Sequence, residues 1–449
     1  MQTTELKGYH LSVQQRRLWQ RVQGPGSVIQ GQVEIRGHLV IQRLERALCQ
    51  VVNRHAIVRT VLCRLPGVEV PVQVVKEGVQ RGWTMIDLEE LSEQEGQRWL
   101  LAYQQAEQER VFDLEAGPVL RVHVVRLQAD RSILLLSMAG MCADRATLPL
   151  FVEELARCYG ADQDIGGEEP LQYADVAAWQ DDLLADEEAV GRQARWRQMD
   201  VEQREDMPLP FHRQRGAPEC AGSALQGRSV EILGAEDWGT QVRMQAERCG
   251  VSEQAYLLTC WLVVLWRLTG EQPVVGVTCN GRHYEELAGA LGPYSRAVPF
   301  VMPFEDDHLL EYALVRVDAA LQEAIEEQVY FTWNENATGH SFSAAYIYEQ
   351  WPQGWEVEGS RWRVQAIAGE DEPARLRLQV CRQGADLRLA VCAREEDFSA
   401  QDIQRLGRSL RELLGHSLQA PECAVGRLRL LGAAEQAALW TRSVGPTEG

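Results

Sequence analysis

A two-lobed α/β fold, each lobe a layered sandwich of helices on a sheet, is predicted by three observations. Helical-period segments and strand-like segments interleave along the whole chain, where separate blocks would indicate α+β. The interleaving starts afresh near Asp181, after a Gly- and acid-rich loop at residues 160–169. The 449 residues, 45% of them hydrophobic, suffice for two or three cores, and no short-period repeat points to a solenoid.

The first half reads as follows. Residues 12–23 are polar, with Leu11, Gln15, Leu18 and Trp19 at helical spacing, which predicts a short amphipathic helix. Residues 28–36 (VIQGQVEIR) alternate and predict a strand. Residues 39–54 return to helical period through Leu39, Leu44, Leu48, Val51 and Val52. Residues 60–75 are extended, with a turn at Pro66-Gly67. Residues 91–111 have helical composition. Residues 118–127 and 132–137 read as paired strands joined at 128–131. Residues 148–159 (LPLFVEELARCY) form an amphipathic helix, and YADVAAWQ opens another over 173–182.

In the second half, 186–205 is a charged helix carrying Trp196, and 207–225 is irregular with Pro and Gly. Residues 229–233 predict a strand, 252–268 the most apolar helix, 274–280 a buried strand and 309–328 a helix. Strands are expected at 343–348, 363–368, 376–382 and 387–392. A helix over 400–417 starts with a capping pattern at Ser399 and Asp402. The lobes are expected at 1–180 and 181–430, with 431–449 as a linker leading onward.

Composition narrows the functions. A formal net charge of −20 opposes nonspecific binding to nucleic acid. Lysine occurs only at Lys7 and Lys76, the other cations being Arg. The eleven cysteines are scattered without CxxC spacing, several of them in apolar runs such as Cys260 and Cys279. They read as small core residues in a reducing compartment. The nine histidines include no HxxxH or HExxH pair, so no metal site is expected. The first residues, MQTTELKGYH, lack an apolar signal core. No apolar run reaches membrane length, the longest being 256–266. The chain reads as cytoplasmic and soluble. It carries no P-loop, GxSxG elbow, carrier-protein serine motif or dinucleotide fingerprint, so ATP and nicotinamide are not implied.

Five ordered segments stand out. They are Leu11–Trp19 (LSVQQRRLW), Arg54–Thr60 (RHAIVRT), Phe112-Asp113-Leu114 with Gly117-Pro118 and Leu120-Arg121, Tyr173–Trp179 (YADVAAW), and Leu291-Gly292-Pro293-Tyr294. They resemble the LSxxQxRLW, RHxxLRT, FDLxxGPLLR, YxDFAxW and IGxF patterns of nonribosomal peptide synthetase condensation domains. Between the third and the fourth, Met138–Leu148 reads MAGMCADRATL, where that family carries HHxxxDG. The two His positions are Ala139 and Gly140, Asp144 is retained, and the final Gly is Arg145.

The resemblance implies a V-shaped pseudo-dimer of two chloramphenicol acetyltransferase-like lobes with a tunnel at their junction. It implies donor and acceptor peptidyl carrier proteins as partners, with an adenylation domain in cis as a further one. No cofactor would be bound directly; the phosphopantetheine arms of the carriers would enter from opposite ends. An acceptor amine would attack a donor thioester. Holding both arms end to end is worth about 7–11 kcal/mol, and a positioned imidazole adds typically ~10²–10⁴-fold. Here neither Ala139 nor Gly140 has a polar side-chain atom. In the family the Asp is mainly structural and pairs with an Arg that closes the following VNT segment. This chain has Val301 at that Arg position and Arg296 at the Asn position, so Arg296 or Arg145 is expected to neutralise Asp144. Tyr294, Trp333, Asn334 and Arg59 are expected to serve structure or line the tunnel.

Three functions remain open: an atypical domain holding carrier-tethered thioesters with His-assisted amide formation lost or altered, a catalytically silent docking or recruitment module, and a heterocyclization-like enzyme using Asp144 and Thr147. For the last, Ala139 stands where DxxxxDxxS has its leading Asp. Cys142 and His55 read as packing and structural residues. A displaced histidine, His283 or His340, is the expected route by which base function would return.

Overall fold

The computed structural model describes residues 7–21, 27–78, 83–161, 169–199, 209–211, 227–232, 238–333, 341–369, 372, 374–432 and 435–436. In the first half the elements are β1 (Gly8–Tyr9), α1 (Val13–Arg21), β2 (Val28–Arg36), α2 (Ile41–Arg54), β3 (Thr60–Cys63), β4 (Val72–Val75) and β5 (Trp83–Asp87). There follow α3 (Glu93–Glu109), β6 (Leu120–Gln128), β7 (Arg131–Ala139), α4 (Thr147–Gly160), α5 (Tyr173–Ala185) and α6 (Glu187–Arg197). The second half has β8 (Gly227–Glu231), α7 (Trp238–Cys249), α8 (Glu253–Thr269), β9 (Val274–Cys279), β10 (Arg296–Val301) and α9 (Leu310–Glu327). It ends with β11 (Ala344–Trp351), β12 (Trp355–Val357), β13 (Ser360–Ala368), β14 (Leu376–Gln383), β15 (Asp386–Arg394) and α10 (Ala400–Gln419).

These strands make two six-stranded sheets, in the orders β12-β13-β2-β7-β6-β5 and β10-β9-β11-β14-β15-β8, with a small sheet β1-β4-β3 beside the first. Each large sheet has its own hydrophobic core. The predicted two-lobed α/β architecture is therefore present. One excursion links the lobes. β11 and β14 are parallel neighbours, and parallel neighbours need a long crossover. Here the crossover leaves its own sheet and lays β13 along β2 of the other, with β12 outside it on β13. Trp362 anchors the excursion: it is fully buried in the first core, with its ring 5.3 Å from that of Tyr159.

Local chemistry explains the elements that sequence patterning predicts. β6 and β7 pair antiparallel through a tight connection at 128–131. α8 is apolar all round because Ala255–Leu265 is buried without interruption. Ser252 caps it, accepting from Ala255 N at 3.1 Å. α10 has the expected reciprocal cap between Ser399 and Asp402. No single described helix is long and apolar enough to cross a membrane. Patterning passes over β1, β5, α7, β10 and β12: the four strands all lie at sheet edges, and α7 is a polar surface helix whose buried face is Trp238, Gly239, Val242, Gln245 and Ala246.

Candidate functional site

The candidate site forms where β7 runs into α4. Ala139 closes β7 opposite Val28, and its N–H donates to Val119 O at 2.9 Å. Gly140 N–H donates to Ser27 O at 2.7 Å, drawing the two backbones together. A Cβ at Gly140 would lie 1.9 Å from Ser27 Oγ and 3.0 Å from Ser27 O. Both residues are buried, and neither presents a polar side chain.

Four residues on, Asp144 is 2% exposed and every face of its carboxylate is used. Oδ1 accepts from Thr147 N (2.7 Å) and Arg282 Nη2 (3.0 Å), and lies 2.6 Å from Thr147 Oγ1. Oδ2 accepts from Arg282 Nη1, Tyr294 N and Ser295 N, each at 2.9 Å, and from Ser295 Oγ at 3.1 Å. Burial acts to raise the carboxyl pKa, but the Arg282 charge and these hydrogen bonds outweigh it and hold the group below the usual carboxylate range. It is a saturated anion with no lone pair left to take a proton from a substrate. Thr147 Oγ1 also lies 2.9 Å from Gly292 O.

Arg282 completes the node. Its Nε donates to Ala290 O (2.8 Å), Nη1 to Asn280 O (3.0 Å) and Nη2 to Gly292 O (2.8 Å), and its guanidinium stacks 4.6 Å from the centroid of the Tyr294 ring. Gly292 is obligatory: its φ is +142°, and a Cβ there would meet Tyr173 Cδ2 at 2.2 Å. Tyr173 OH in turn donates to Pro293 O (3.1 Å) and lies 2.6 Å from Ser12 Oγ. Gln15 Nε2 donates to Met141 O at 2.9 Å. The opening LSVQQ segment, the motif loop, the YADVAAW helix and the LGPY loop thus converge on one buried polar knot.

The remaining expected residues fall as follows. Neither Arg296 nor Arg145 neutralises Asp144, contrary to expectation; Arg282 does so, because the turn after β9 aims its two terminal nitrogens at both carboxylate oxygens. Arg145 instead grips Glu349 of β11 with Nε and Nη2, both at 2.8 Å, and donates from Nη1 to Ile367 O and Gly369 O, both at 2.9 Å. Arg296 donates from Nη1 to Gln328 O (3.2 Å) and Val329 O (3.0 Å). Tyr294 is buried against Tyr173, ring centroids 4.9 Å apart. Trp333 packs on Phe331 and Phe342 under the Arg17 guanidinium. Asn334 and His340 lie outside the described residues. His283 is exposed beside Tyr284, and no contact among the described residues joins it to Gly140.

Arg59 donates to the carbonyls of Val52, Asn53 and Lys76. It lines a cavity of about 750 Å³ in the first lobe whose walls include none of residues 139–147. His55 joins Glu154, which also accepts from Arg54 at 2.8 Å, and so ties α2 to α4. Cys142 is buried with its Sγ 3.6 Å from Thr60 O, and burial pushes its thiol up to about 12, which suits packing and not nucleophilic attack. Sequence reasoning misses Arg282, Glu349 and Ser27. The only local signal is Gly281-Arg282 directly after a buried strand.

Residues 5–440 match the family model described as the condensation domain. The chain belongs to the condensation-domain family. It is 30% identical over 291 residues to a linear gramicidin synthase of Brevibacillus parabrevis, covering 63% of this chain and 4% of that protein. It is 28% identical over 330 residues to chondramide synthase cmdD of Chondromyces crocatus, covering 71% of this chain and 8% of that protein. The chain therefore spans a small fraction of the length of these relatives. Among solved structures, the first condensation domain of the calcium-dependent antibiotic synthetase, in complex with a substrate analogue, superposes with a TM-score of 0.79 at 17% identity, covering 95% of this chain and 99% of that one. The X-domain from teicoplanin biosynthesis gives a TM-score of 0.76 at 19% identity, covering 96% and 99%. At these identities the likeness shows the shared fold.

Proposed function

We propose that this chain is an atypical condensation domain of a nonribosomal peptide synthetase, organised as an N-terminal lobe over 1–180, a C-terminal lobe over 181–430 apart from the β12–β13 excursion into the first sheet, and a linker from 431. In this reading, donor and acceptor carrier proteins present phosphopantetheine-tethered acyl and aminoacyl thioesters at the lobe junction, and ordinary imidazole-assisted amide formation is lost. The observation that carries it is the pairing of an intact scaffold with an empty base position. Asp144, Thr147 and Arg282 form a complete knot, while Gly140 carries no side chain and the Ser27 hydroxyl stands where its Cβ would be. What remains for catalysis is the local concentration of the two arms, which suffices best for an acceptor amine that is already neutral.

The saturation of Asp144 also weighs against a heterocyclization-like role, since that chemistry would ask Asp144 and Thr147 to move protons. A silent docking module is the second reading. It is favoured by the same saturated knot and by the likeness to the teicoplanin X-domain, a protein solved in complex with OxyB. The test is reconstitution with loaded donor and acceptor carriers, read by intact-protein mass spectrometry beside a His-containing condensation domain. The expected result is carrier binding with transfer roughly a hundredfold slower, or more, than in the comparison domain. Equal transfer rates overturn the lost-base reading, and failure of either carrier to bind overturns the carrier reading.

A further inference from the structure

Four arginines gather where the two lobes meet around the motif loop. Three have a carboxylate. Arg282 holds Asp144, Arg145 holds Glu349, and Arg17 holds Glu372 at 2.9 and 3.3 Å. The fourth, Arg296, has no carboxylate within ion-pair distance among the described residues. It is 7% exposed. Its acceptors are all neutral: the carbonyls of Gln328 and Val329, and the side-chain oxygen of Gln14, whose amide nitrogen faces Gln180 Oε1 at 3.2 Å. Gln14 receives both Nε and Nη2, which leaves one Nη2 hydrogen without an acceptor among the described residues.

Neutral dipoles satisfy hydrogen bonds but leave the charge in place, and a buried charge without a counterion is costly. Burial drags the Arg296 pKa down to about 10. The carboxylate whose field reaches it, Glu372, is already committed to Arg17. The location is informative as well. Ser295, the preceding residue, bonds Asp144 through both its N–H and its hydroxyl, so Arg296 stands one residue from the knot. Its field reaches the exposed ring of His283 and, after burial, helps to depress that pKa. The surplus positive charge is therefore at the junction and within electrostatic reach of the exposed His283 ring.

We propose that Arg296 recognises an anionic group on the acyl chain presented at this junction, so that the substrate class is a carboxylate-bearing thioester such as a dicarboxylic or acidic aminoacyl chain. The proposal rests on the reading of the junction as a thioester-binding site. The incoming carboxylate takes the free Nη2 hydrogen and displaces the Gln14 oxygen, replacing a neutral acceptor by a charged one. Charge-assisted hydrogen bonds of this kind are about twice as strong as neutral ones.

The test uses two stable pantetheine amides of equal size, one carrying a succinate half-amide and one its uncharged primary-amide counterpart, titrated calorimetrically into the intact domain. The expected result is roughly tenfold tighter binding of the charged ligand. Arg296→Met should erase that preference and Arg296→Lys should keep most of it, with thermal melts confirming that each variant folds. Equal binding of the two ligands to the unmodified domain overturns the assignment of Arg296 and leaves the thioester reading standing. Binding of neither overturns both. Because the comparison is made first on the unmodified protein, equal binding overturns the assignment even where a variant does not fold.

Discussion

Arg282 and Asp144, separated by 138 positions in the chain, face each other as a two-pronged pair, Nη1 to Oδ2 at 2.9 Å and Nη2 to Oδ1 at 3.0 Å, each side chain 2% exposed. The pair fastens the loop between β7 and α4 to the loop after β9. Removing one partner strands a buried charge, so Asp144→Asn or Arg282→Met should each cost about 3–5 kcal/mol, read as a lower denaturant midpoint. A loss below about 1 kcal/mol in both would show that the knot does not hold the fold.

The same pair sets an acid limit. The Asp144 pKa is depressed in the folded state, so its contribution is fully present above the unfolded aspartate value of about 4. It is lost progressively as pH falls through the lower folded value. The melting temperature of the protein should fall in that acid window, and Asp144→Asn should flatten this part of the profile. An unchanged acid limb in the variant would assign the loss to other carboxylates.

Gly140→His alone should not create strong amide synthesis. The new Cβ meets Ser27 Oγ at 1.9 Å and Ser27 O at 3.0 Å, so the hydroxyl must turn away and the fit stays tight. Overpacking of this kind costs about 1–3 kcal/mol. Pairing the change with Ser27→Gly should recover the melting temperature. High transfer rates by the single variant with loaded carriers would refute the expectation.

Arg145 joins three segments: its own loop after β7, Glu349 on β11 and the end of β13 at Ile367 and Gly369. Arg145→Gly leaves Glu349 half-served and frees two carbonyls. Hydrogen exchange should quicken at 345–349 and 366–369, with a stability loss of about 3 kcal/mol. The double variant Arg145→Met with Glu349→Met should return much of that loss, since a buried pair is often matched by apolar replacements. Equal loss in the single and double variants would count against the clamp.

Much of the fold is legible in the chain because its signals are local. The alternation in Val28–Arg36, the short connection between β6 and β7, and the Ser399–Asp402 cap are each decided by neighbours a few residues apart. The site is legible only in outline. That Asp144 needs a counterion follows from burial, but nothing in a single sequence connects it to Arg282 rather than to the nearer Arg145. The absence of a side chain at Gly140 is visible; that Ser27 fills the space is not. Likewise the strand character of 363–368 is plain, yet its own residues do not reveal that it joins the sheet of the opposite lobe.

That displaced hairpin bears on how the nascent chain matures. As synthesis proceeds from the N-terminus, the outer edge of β2 has no neighbour until residues 360–368 leave the ribosome, a wait on the order of tens of seconds at ordinary elongation rates. An open strand edge invites wrong pairing in that interval. Gln30, Gln32 and Glu34 lower the apolar content of the waiting strand during that interval.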